Sequence, residues 1–312
     1  MKGLELCRKY YEEYGAPMIA EKFPDLKGKI AVGLFGGGSE CFGYDDEISR
    51  DHDYEPSFII VLPSETEVSR RDAFLLEREY AKLPDEFMGY KRNKLNPVGG
   101  SRRGVIRAED FLTEKTGRAD GLLSGDEWFS VPEHYLAETV NGEIFFDGSG
   151  TFTAVRDYLS AYPKDVKLKK LAGALLLAAQ AGQYNYPRMI KRGDTAGAQV
   201  CAAEFVRHAM NAAFLIEEKY QPYYKWAFRA LSELPEMKTL CDPLEFLLSS
   251  YNSPDLARDK TEKIEFVCSF LANAVAERIT GEKESDLGKL AYAVNDKIAD
   301  ATLRNRSVLY GV

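Results

Sequence analysis

The sequence places three glycines and a serine, Gly-Gly-Gly-Ser at residues 36–39, directly after a short apolar run. Glycines allow positive φ and close approach to the backbone, so successive N–H groups can point at one anion. Ser39 adds a hydroxyl donor of the kind that binds a terminal phosphate. No Lys-Ser/Thr follows at P-loop spacing, and the dinucleotide fingerprint G-x-G-x-x-G is absent. The segment therefore predicts a phosphate-binding loop of another type.

Two aspartates, Asp51 and Asp53, flank His52 just before the next apolar run at residues 57–62. In an extended segment, residues i and i+2 point to the same face, so the two carboxylates should converge. Two adjacent carboxylates repel each other and favour a divalent cation, and Mg²⁺ is usually bound by one or two carboxylates plus substrate phosphates. Two such metals can stabilise both the attacking and the leaving oxygen of a phosphoryl transfer. Asp51 and Asp53 are therefore the predicted metal ligands.

The elements that position these residues belong to the first half of the chain, residues 1–150. Short apolar runs alternate there with Gly, Pro and Asp clusters, which is typical of strands joined by loops. The patterns predict strands at 29–35, 57–62, 104–107 and 143–146, and helices at 4–23, 72–83 and 108–116. Strands that alternate with helices indicate an α/β domain with a mixed sheet.

The second half, residues 151–312, has an almost wholly helical pattern. The predicted helices lie near 151–161, 165–184, 194–219, 222–232, 242–250, 255–280 and 286–304. Pro and Gly residues separate these segments, as expected at helix ends. The predicted fold class is therefore α/β plus all-α, with an N-terminal mixed-sheet domain followed by a C-terminal helical bundle.

Length and composition limit the functional classes. The 312 residues suffice for two domains, and the net charge of −8 argues against broad binding to nucleic acid. The five cysteines are far apart without CxxC spacing, which predicts reduced thiols rather than zinc or disulfides.

The most apolar run, residues 171–182, is about half the length that crosses a bilayer. With no signal-peptide pattern at the N-terminus, we expect a cytoplasmic protein without nucleic-acid or membrane partners.

The spacing of the two motifs carries a family resemblance. Gly38-Ser39 at a strand end, followed after eleven residues by Asp51-x-Asp53 before the next strand, resembles the nucleotidyltransferase superfamily pattern. The domain order is similar to that of kanamycin-type aminoglycoside nucleotidyltransferases, in which a small α/β catalytic domain precedes a helical bundle. Four segments more closely resemble an uncharacterised bacterial family of that superfamily: GGGSECFGYDDEISRDHD, RRGVIRAEDFL, PEHYLAETVNGEIFFD and QPYYKWAFR.

This resemblance implies a transferase that uses Mg²⁺ and ATP or another nucleoside triphosphate. Its nucleotide-binding residues would be Gly37, Gly38 and Ser39, and its catalytic metal ligands would be Asp51 and Asp53. A nucleoside monophosphate would move to a hydroxyl group of a small molecule or a protein, and pyrophosphate would leave.

Lys225 lies among aromatic residues in Pro-Tyr-Tyr-Lys-Trp. Its ammonium group could reach triphosphate oxygens or could extend past the rings to solvent. The resemblance favours the phosphate contact, so Lys225 is also a predicted nucleotide-binding residue.

The sequence departs from the superfamily pattern at the third carboxylate. The strand expected to carry it, residues 104–107, contains no acid, which leaves Glu109, Asp110 and Asp147 as candidates. The first two also suit the first turn of a helix, and Asp147 also suits a turn. The helical segment at 165–184 offers glutamines where kanamycin-type enzymes have a glutamate base. The alternative prediction is a nucleotide-binding pseudoenzyme or regulatory module without transfer activity.

Overall fold

The computed structural model of the protein describes residues 1–48, 54–92 and 103–312. The chain forms two compact units. The first unit comprises Met1–Gly125 and Val131–Ser160, and the second comprises Asp126–Ser130 and Ala161–Val312. The domain boundary predicted at residue 150 stays a prediction. Asp51 and Asp53 lie outside the described residues.

The first unit is built on a four-stranded mixed sheet. The strands of the described residues are β1 (Ala31–Leu34), β2 (Ile59–Leu62), β3 (Glu86–Phe87), β4 (Tyr90–Lys91), β5 (Gly104–Arg107) and β6 (Glu143–Asp147). The sheet has the order β5-β2-β1-β6, and β3 pairs with β4 in a separate hairpin. Strand β1 is antiparallel to both of its neighbours, whereas β2 and β5 are parallel. The predicted mixed sheet is confirmed.

The strand directions bring four chain segments to one edge of this sheet. Gly33, near the end of β1, pairs with Ile59 at the start of β2. Ile59 in turn pairs with Gly104 at the start of β5, and Leu34 pairs with Glu143 at the start of β6. Strand β1 therefore ends at the edge where β2, β5 and β6 begin. We call it the glycine edge, because the glycine-rich segment follows β1 there.

Helices cover both faces of the sheet. The helices of the first unit, numbered along the chain, are α1 (Gly3–Tyr10), α2 (Ala16–Lys22), α3 (Arg70–Tyr80), α4 (Ala108–Thr116), α6 (Glu133–Val140) and α7 (Thr151–Tyr158). On one face, Val32 and Ile60 pack in a cluster with Tyr10 of α1 and Tyr80 of α3. The opposite face carries a smaller cluster that includes Phe152 of α7. Burial on both faces explains why β1 and β2 are continuous apolar runs.

The second unit is helical throughout. Its helices are α5 (Glu127–Ser130), α8 (Lys164–Ala178), α9 (Tyr186–Lys191), α10 (Thr195–Ile216), α11 (Tyr224–Glu233), α12 (Cys241–Ser249), α13 (Pro254–Val275), α14 (Leu287–Asn295) and α15 (Ala301–Asn305). Helix α8 packs against α10 and α14. Its buried Lys169 donates hydrogen bonds to Asn295 Oδ1 (2.8 Å) and to the carbonyl of Arg306 (2.9 Å). The predicted all-α region is confirmed.

One predicted helix, residues 286–304, is two helices in the structure. Helix α14 ends at Asn295 and α15 begins at Ala301. The Asp300 carboxylate caps α15 by accepting the N–H groups of Thr302 and Leu303. A carboxylate that satisfies free N–H groups stabilises a helix start, so the chain begins a new helix here. In the part of the chain that the structure describes, no helix is long and apolar enough to cross a membrane.

Candidate functional site

The glycine-rich loop, residues 36–39, lies at the glycine edge immediately after β1. Gly36 has a φ of 107°, a value that side-chain-bearing residues rarely adopt. Gly37 is exposed, and Gly38 and Ser39 are half-buried. Ser39 then starts a short 3₁₀ turn over Glu40–Phe42. The three residues predicted to contact phosphate therefore form one partly exposed surface.

The backbone N–H groups of this loop are the donors that an anion would need. Among the described residues, the N–H groups of Gly37, Gly38 and Ser39 donate no hydrogen bond to another group. The preceding N–H, that of Gly36, is already bonded to a side chain. Three successive unbonded N–H groups in a glycine-rich turn are a suitable binding surface for a phosphate.

Asn141 holds the loop at its first residue. Its side-chain Oδ1 accepts the N–H of Gly36 and its Nδ2 donates to the carbonyl of Gly36, both at 2.8 Å. The amide therefore satisfies both polar groups of Gly36 where the strand ladder stops. The next residue, Gly142, has a φ of 65°, and a Cβ there would lie 2.0 Å from the carbonyl oxygen of Leu34. Position 141 therefore requires an amide side chain, and position 142 requires glycine.

A buried arginine supports Asn141 in turn. Arg156 of α7 donates a hydrogen bond to the carbonyl of Thr139 at 2.9 Å and another to the carbonyl of Asn141. Its guanidinium carbon also lies 5.3 Å from the ring centroid of Phe35, the residue before the loop. Burial lowers the pKa of Arg156 to about 10, so the group remains charged at neutral pH. The loop therefore rests on a polar network formed by α6, by Asn141 directly after α6, and by α7.

An Asn141→Asp variant tests this network. We expect it to lose about 1–3 kcal/mol of unfolding free energy, because a carboxylate oxygen would face the Gly36 carbonyl instead of a donor. Urea titration followed by circular dichroism measures the loss. The matched control is Asn273→Asp on the exposed side of α13. Equal stability of the two variants would contradict the assigned role of Asn141.

A buried ion pair lies beneath Gly38 and Ser39. The guanidinium of Arg103, just before β5, is bonded to the Glu40 carboxylate, and both side chains are only 7% exposed. Burial alone would weaken the charge on Arg103, but the adjacent Glu40 carboxylate raises the pKa of the guanidinium above its usual value. A Cβ at Gly38 would lie 2.1 Å from Glu40 Oε1. The pair therefore joins the loop to the start of β5 and requires glycine at position 38.

The thiol of Cys41 lies next to this pair. Cys41 is buried, and the loss of solvation raises its pKa to about 12, although the charge of Arg103 acts in the opposite direction. A thiol with so high a pKa carries almost no thiolate at neutral pH. The environment of Cys41 therefore disfavours the thiolate form that a nucleophile needs.

A second ion pair lies beside Gly37. A Cβ placed on Gly37 would lie 3.4 Å from Glu138 Oε1 of α6. The other oxygen of Glu138 accepts a hydrogen bond from Lys115 of α4 at 2.7 Å. Burial disfavours the ammonium charge, but the hydrogen bonds that Lys115 donates to Glu138 and Glu114 outweigh this effect and raise the pKa of Lys115. The carboxylate beside the loop is therefore neutralised by an adjacent cation.

The candidate third carboxylates do not lie at the glycine edge. Asp147 ends β6 and pairs with Ala31 at the start of β1, so it lies at the opposite edge. Its oxygens accept hydrogen bonds from the N–H groups of Gly150 and Thr153, which is a turn-forming role. Glu109 and Asp110 are exposed in the first turn of α4, directly after the far end of β5. The described carboxylates nearest the loop are those of Glu40 and Glu138.

The other predicted site residues are Asp51, Asp53 and Lys225, and none of them is described at the glycine edge. Asp51 and Asp53 belong to the part of the chain outside the described residues, so their metal role stays a prediction. Lys225 is exposed in the first turn of α11 in the second unit, and its ammonium nitrogen lies 5.3 Å from the centroid of the Trp226 ring. The described residues contain no group of three or more His, Cys, Asp or Glu side chains that could hold a metal ion.

Comparison with known proteins gives two similarities. A family profile described as "Domain of unknown function (DUF4037)" matches residues 128–227, which is about a third of the chain. The crystal structure of a nucleotidyltransferase-like protein from Exiguobacterium sibiricum matches 94% of this chain and 88% of its own. That match has 14% sequence identity and a TM-score of 0.34, values that do not establish a shared activity. No curated protein matches the sequence significantly.

Proposed function

We propose that the first unit binds a nucleoside triphosphate together with Mg²⁺ and transfers the nucleoside monophosphate to a hydroxyl group. The observation that carries this proposal is the set of unbonded N–H groups of Gly37, Gly38 and Ser39 in the described structure. Backbone donors of this kind bind phosphate oxygens without any positive side chain. The network of Asn141 and the Glu40–Arg103 pair support the proposal, because they hold the loop in place before a ligand binds.

Asp51 and Asp53 are the proposed ligands of the cation. They are the acidic pair that precedes β2, whose first residues lie at the glycine edge. When bound, Mg²⁺ would neutralise the triphosphate and make pyrophosphate a better leaving group. The substrate phosphates would complete the coordination of the ion, as is usual for Mg²⁺ bound by one or two carboxylates.

The proposed reaction is a displacement at the α-phosphorus. An acceptor oxygen forms the new P–O bond, the bond to the bridging oxygen breaks, and pyrophosphate leaves. The acceptor proton passes to water or to a base. ATP is the proposed donor, although another nucleoside triphosphate would suit the same backbone contacts, and the acceptor is a small molecule or a protein hydroxyl. The nucleotide-binding role of Lys225 stays a prediction.

A second candidate function is nucleotide binding without transfer. The position of the acidic residues favours it, because Asp147, Glu109 and Asp110 lie away from the glycine edge. The carboxylates of Glu40 and Glu138 are occupied by Arg103 and Lys115. A site with two acids instead of three could hold Mg²⁺ and ATP but would activate the acceptor hydroxyl poorly.

Thermal unfolding with Mg²⁺ and ATP tests the binding step. At a hundredfold excess over Kd, the ligand stabilises the native protein by about 2.7 kcal/mol, which raises Tm by several degrees. We expect the double variant Asp51→Asn, Asp53→Asn or removal of Mg²⁺ by EDTA to abolish this rise. The matched control is Asp46→Asn with Glu47→Gln, two exposed acids that are close in sequence.

The outcomes separate the two functions. A rise in Tm that survives in the Asp51/Asp53 double variant would contradict the metal role, and no rise in the native protein would contradict nucleotide binding. If Mg²⁺ and ATP bind but no acceptor mixture supports pyrophosphate release, the binding function is correct and transfer is not. Pyrophosphate release that requires both aspartates would establish transfer.

A further inference from the structure

A cavity of about 310 Å³ in the second unit has the features of a separate anion site. It is lined by residues just before and at the start of α8, and by residues at and just after the end of α10. The six lining residues that matter here are Tyr162, Lys164, Lys167, Glu218, Lys219 and Tyr220. The volume is at the lower end of the range for small-molecule sites, so the cavity suits a small ligand.

The side chains that line this cavity carry a net positive charge. Three lysines line it with a single glutamate, and Lys167 is paired with Glu218. Among the described residues, the ammonium groups of Lys164 and Lys219 form no hydrogen bond or ion pair. Two unneutralised cations at one concave surface raise the local concentration of anions and favour their binding. The ligand should therefore carry about two negative charges.

Aromatic side chains form one wall of the cavity, and they favour particular chemical groups in the part of the ligand that is not anionic. The rings of Tyr162 and Tyr220 meet edge to face, with centroids 4.8 Å apart, and Tyr220 is buried. Trp128 packs against Tyr162 from another side, with centroids 5.8 Å apart. Rings that are held in this way provide a rigid apolar surface at little entropic cost. A planar or apolar group attached to the anion would contact this surface.

The backbone conformation of Glu218, one of the lining residues, is unusual. Glu218 has a φ of 56°, in the left-handed region where glycine normally ends a helix. The N–H of Lys219 bonds to the carbonyl of Phe214 at 3.0 Å, which closes α10. The chain thus has a strained glutamate where glycine would fit, and the glutamate carboxylate pairs with Lys167. Glu218 therefore competes with any anion for the Lys167 ammonium.

We propose that this cavity binds a small organic phosphate. Lys164 and Lys219 would hold the phosphate, and the two tyrosines would contact the organic part. The Glu218 carboxylate would weaken binding by occupying Lys167. This inference concerns the second unit alone and does not depend on the nucleotidyl transfer proposed for the first.

Isothermal titration calorimetry with phenyl phosphate, in the presence of EDTA, tests the proposal. Each of the changes Lys164→Gln and Lys219→Gln should weaken binding roughly threefold to fivefold, the range for one partly screened charge contact. Glu218→Gly should tighten binding by about the same factor, because glycine keeps the turn and frees Lys167. Inorganic phosphate should bind more weakly than phenyl phosphate, because it lacks the group that contacts the tyrosines.

Two controls identify the site. Lys238→Gln removes an exposed lysine outside the cavity and should leave binding unchanged. Gly38→Ala alters the loop of the first unit and should also leave it unchanged, which separates this site from the proposed nucleotide site. The proposal is overturned if phenyl phosphate does not bind at millimolar concentrations. It is also overturned if Lys238→Gln weakens binding as much as the cavity variants do, or if Glu218→Gly weakens it.

Discussion

An Arg103→Met variant is expected to lose about 3–5 kcal/mol of unfolding free energy, because it leaves the Glu40 carboxylate buried without its partner. Both side chains of the pair are only 7% exposed, so water cannot replace the lost guanidinium without opening the unit. Methionine fills much of the arginine volume, which restricts the effect to the charge. The loss should appear as a lower urea midpoint with an unchanged m-value.

Two further variants show whether the charge is the cause. Arg70→Met removes an arginine whose pairing with Glu65 is exposed, and we expect no measurable change in stability. In the double variant Glu40→Leu, Arg103→Met, both charges are gone, and a large part of the loss should be recovered. If Arg103→Met is as mild as Arg70→Met, the pair does not hold the loop in the way described.

A Gly38→Ala variant is expected to have the largest effect on nucleotide binding. The new Cβ would lie 2.1 Å from Glu40 Oε1, and that carboxylate cannot move freely because Arg103 holds it in the interior. The loop must shift instead, which misaligns the N–H groups of Gly38 and Ser39. Loss of two hydrogen bonds to a charged phosphate costs about 3–6 kcal/mol in total, or more than a hundredfold in Kd.

The matched control for this change is Gly28→Ala. Gly28 is exposed and has no atom within 4 Å of a Cβ built on it, so the added methyl group should change neither stability nor binding. Calorimetric titration with Mg²⁺ and ATP gives Kd for both variants. If Gly38→Ala and Gly28→Ala bind ATP equally well, the loop is not the phosphate site.

Sequence patterns predicted the elements that depend on local composition. The buried strands β1 and β2 are continuous apolar runs, and the predicted strand at 104–107 matches β5. Glycines followed by a serine are also visible without a structure, because their conformational freedom is a property of the residues themselves. Fold class and loop position were therefore predictable.

The residues that hold the loop could not be found in the same way. Asn141 is separated from Gly36 by 105 positions, and Arg103 from Glu40 by 63. Only the strand pairing brings these partners together, and an Asn-Gly pair before a strand otherwise indicates an ordinary turn. The break at residues 296–300 was missed for the same reason, since Asp165 accepts the N–H groups of Ala299 and Asp300 from a distant helix.

At the glycine edge, the residues that support the loop differ in their role from the backbone N–H groups of the loop itself. Asn141 and the Glu40–Arg103 pair shape the loop and are needed for stability whether or not the protein transfers a nucleotide. The N–H groups of Gly37, Gly38 and Ser39 form no hydrogen bonds among the described residues, so they add no internal hydrogen bond to the stability of the loop. In the proposed function, these N–H groups bind the phosphates of the nucleotide.

The most direct test of this claim is a crystal structure with Mg²⁺ and a non-hydrolysable ATP analogue. We predict that phosphate oxygens lie about 2.7–3.2 Å from the backbone nitrogens of Gly37, Gly38 and Ser39. We also predict that Asp51 and Asp53 coordinate the metal ion. A bound analogue whose phosphates lie away from residues 37–39 would contradict the central claim.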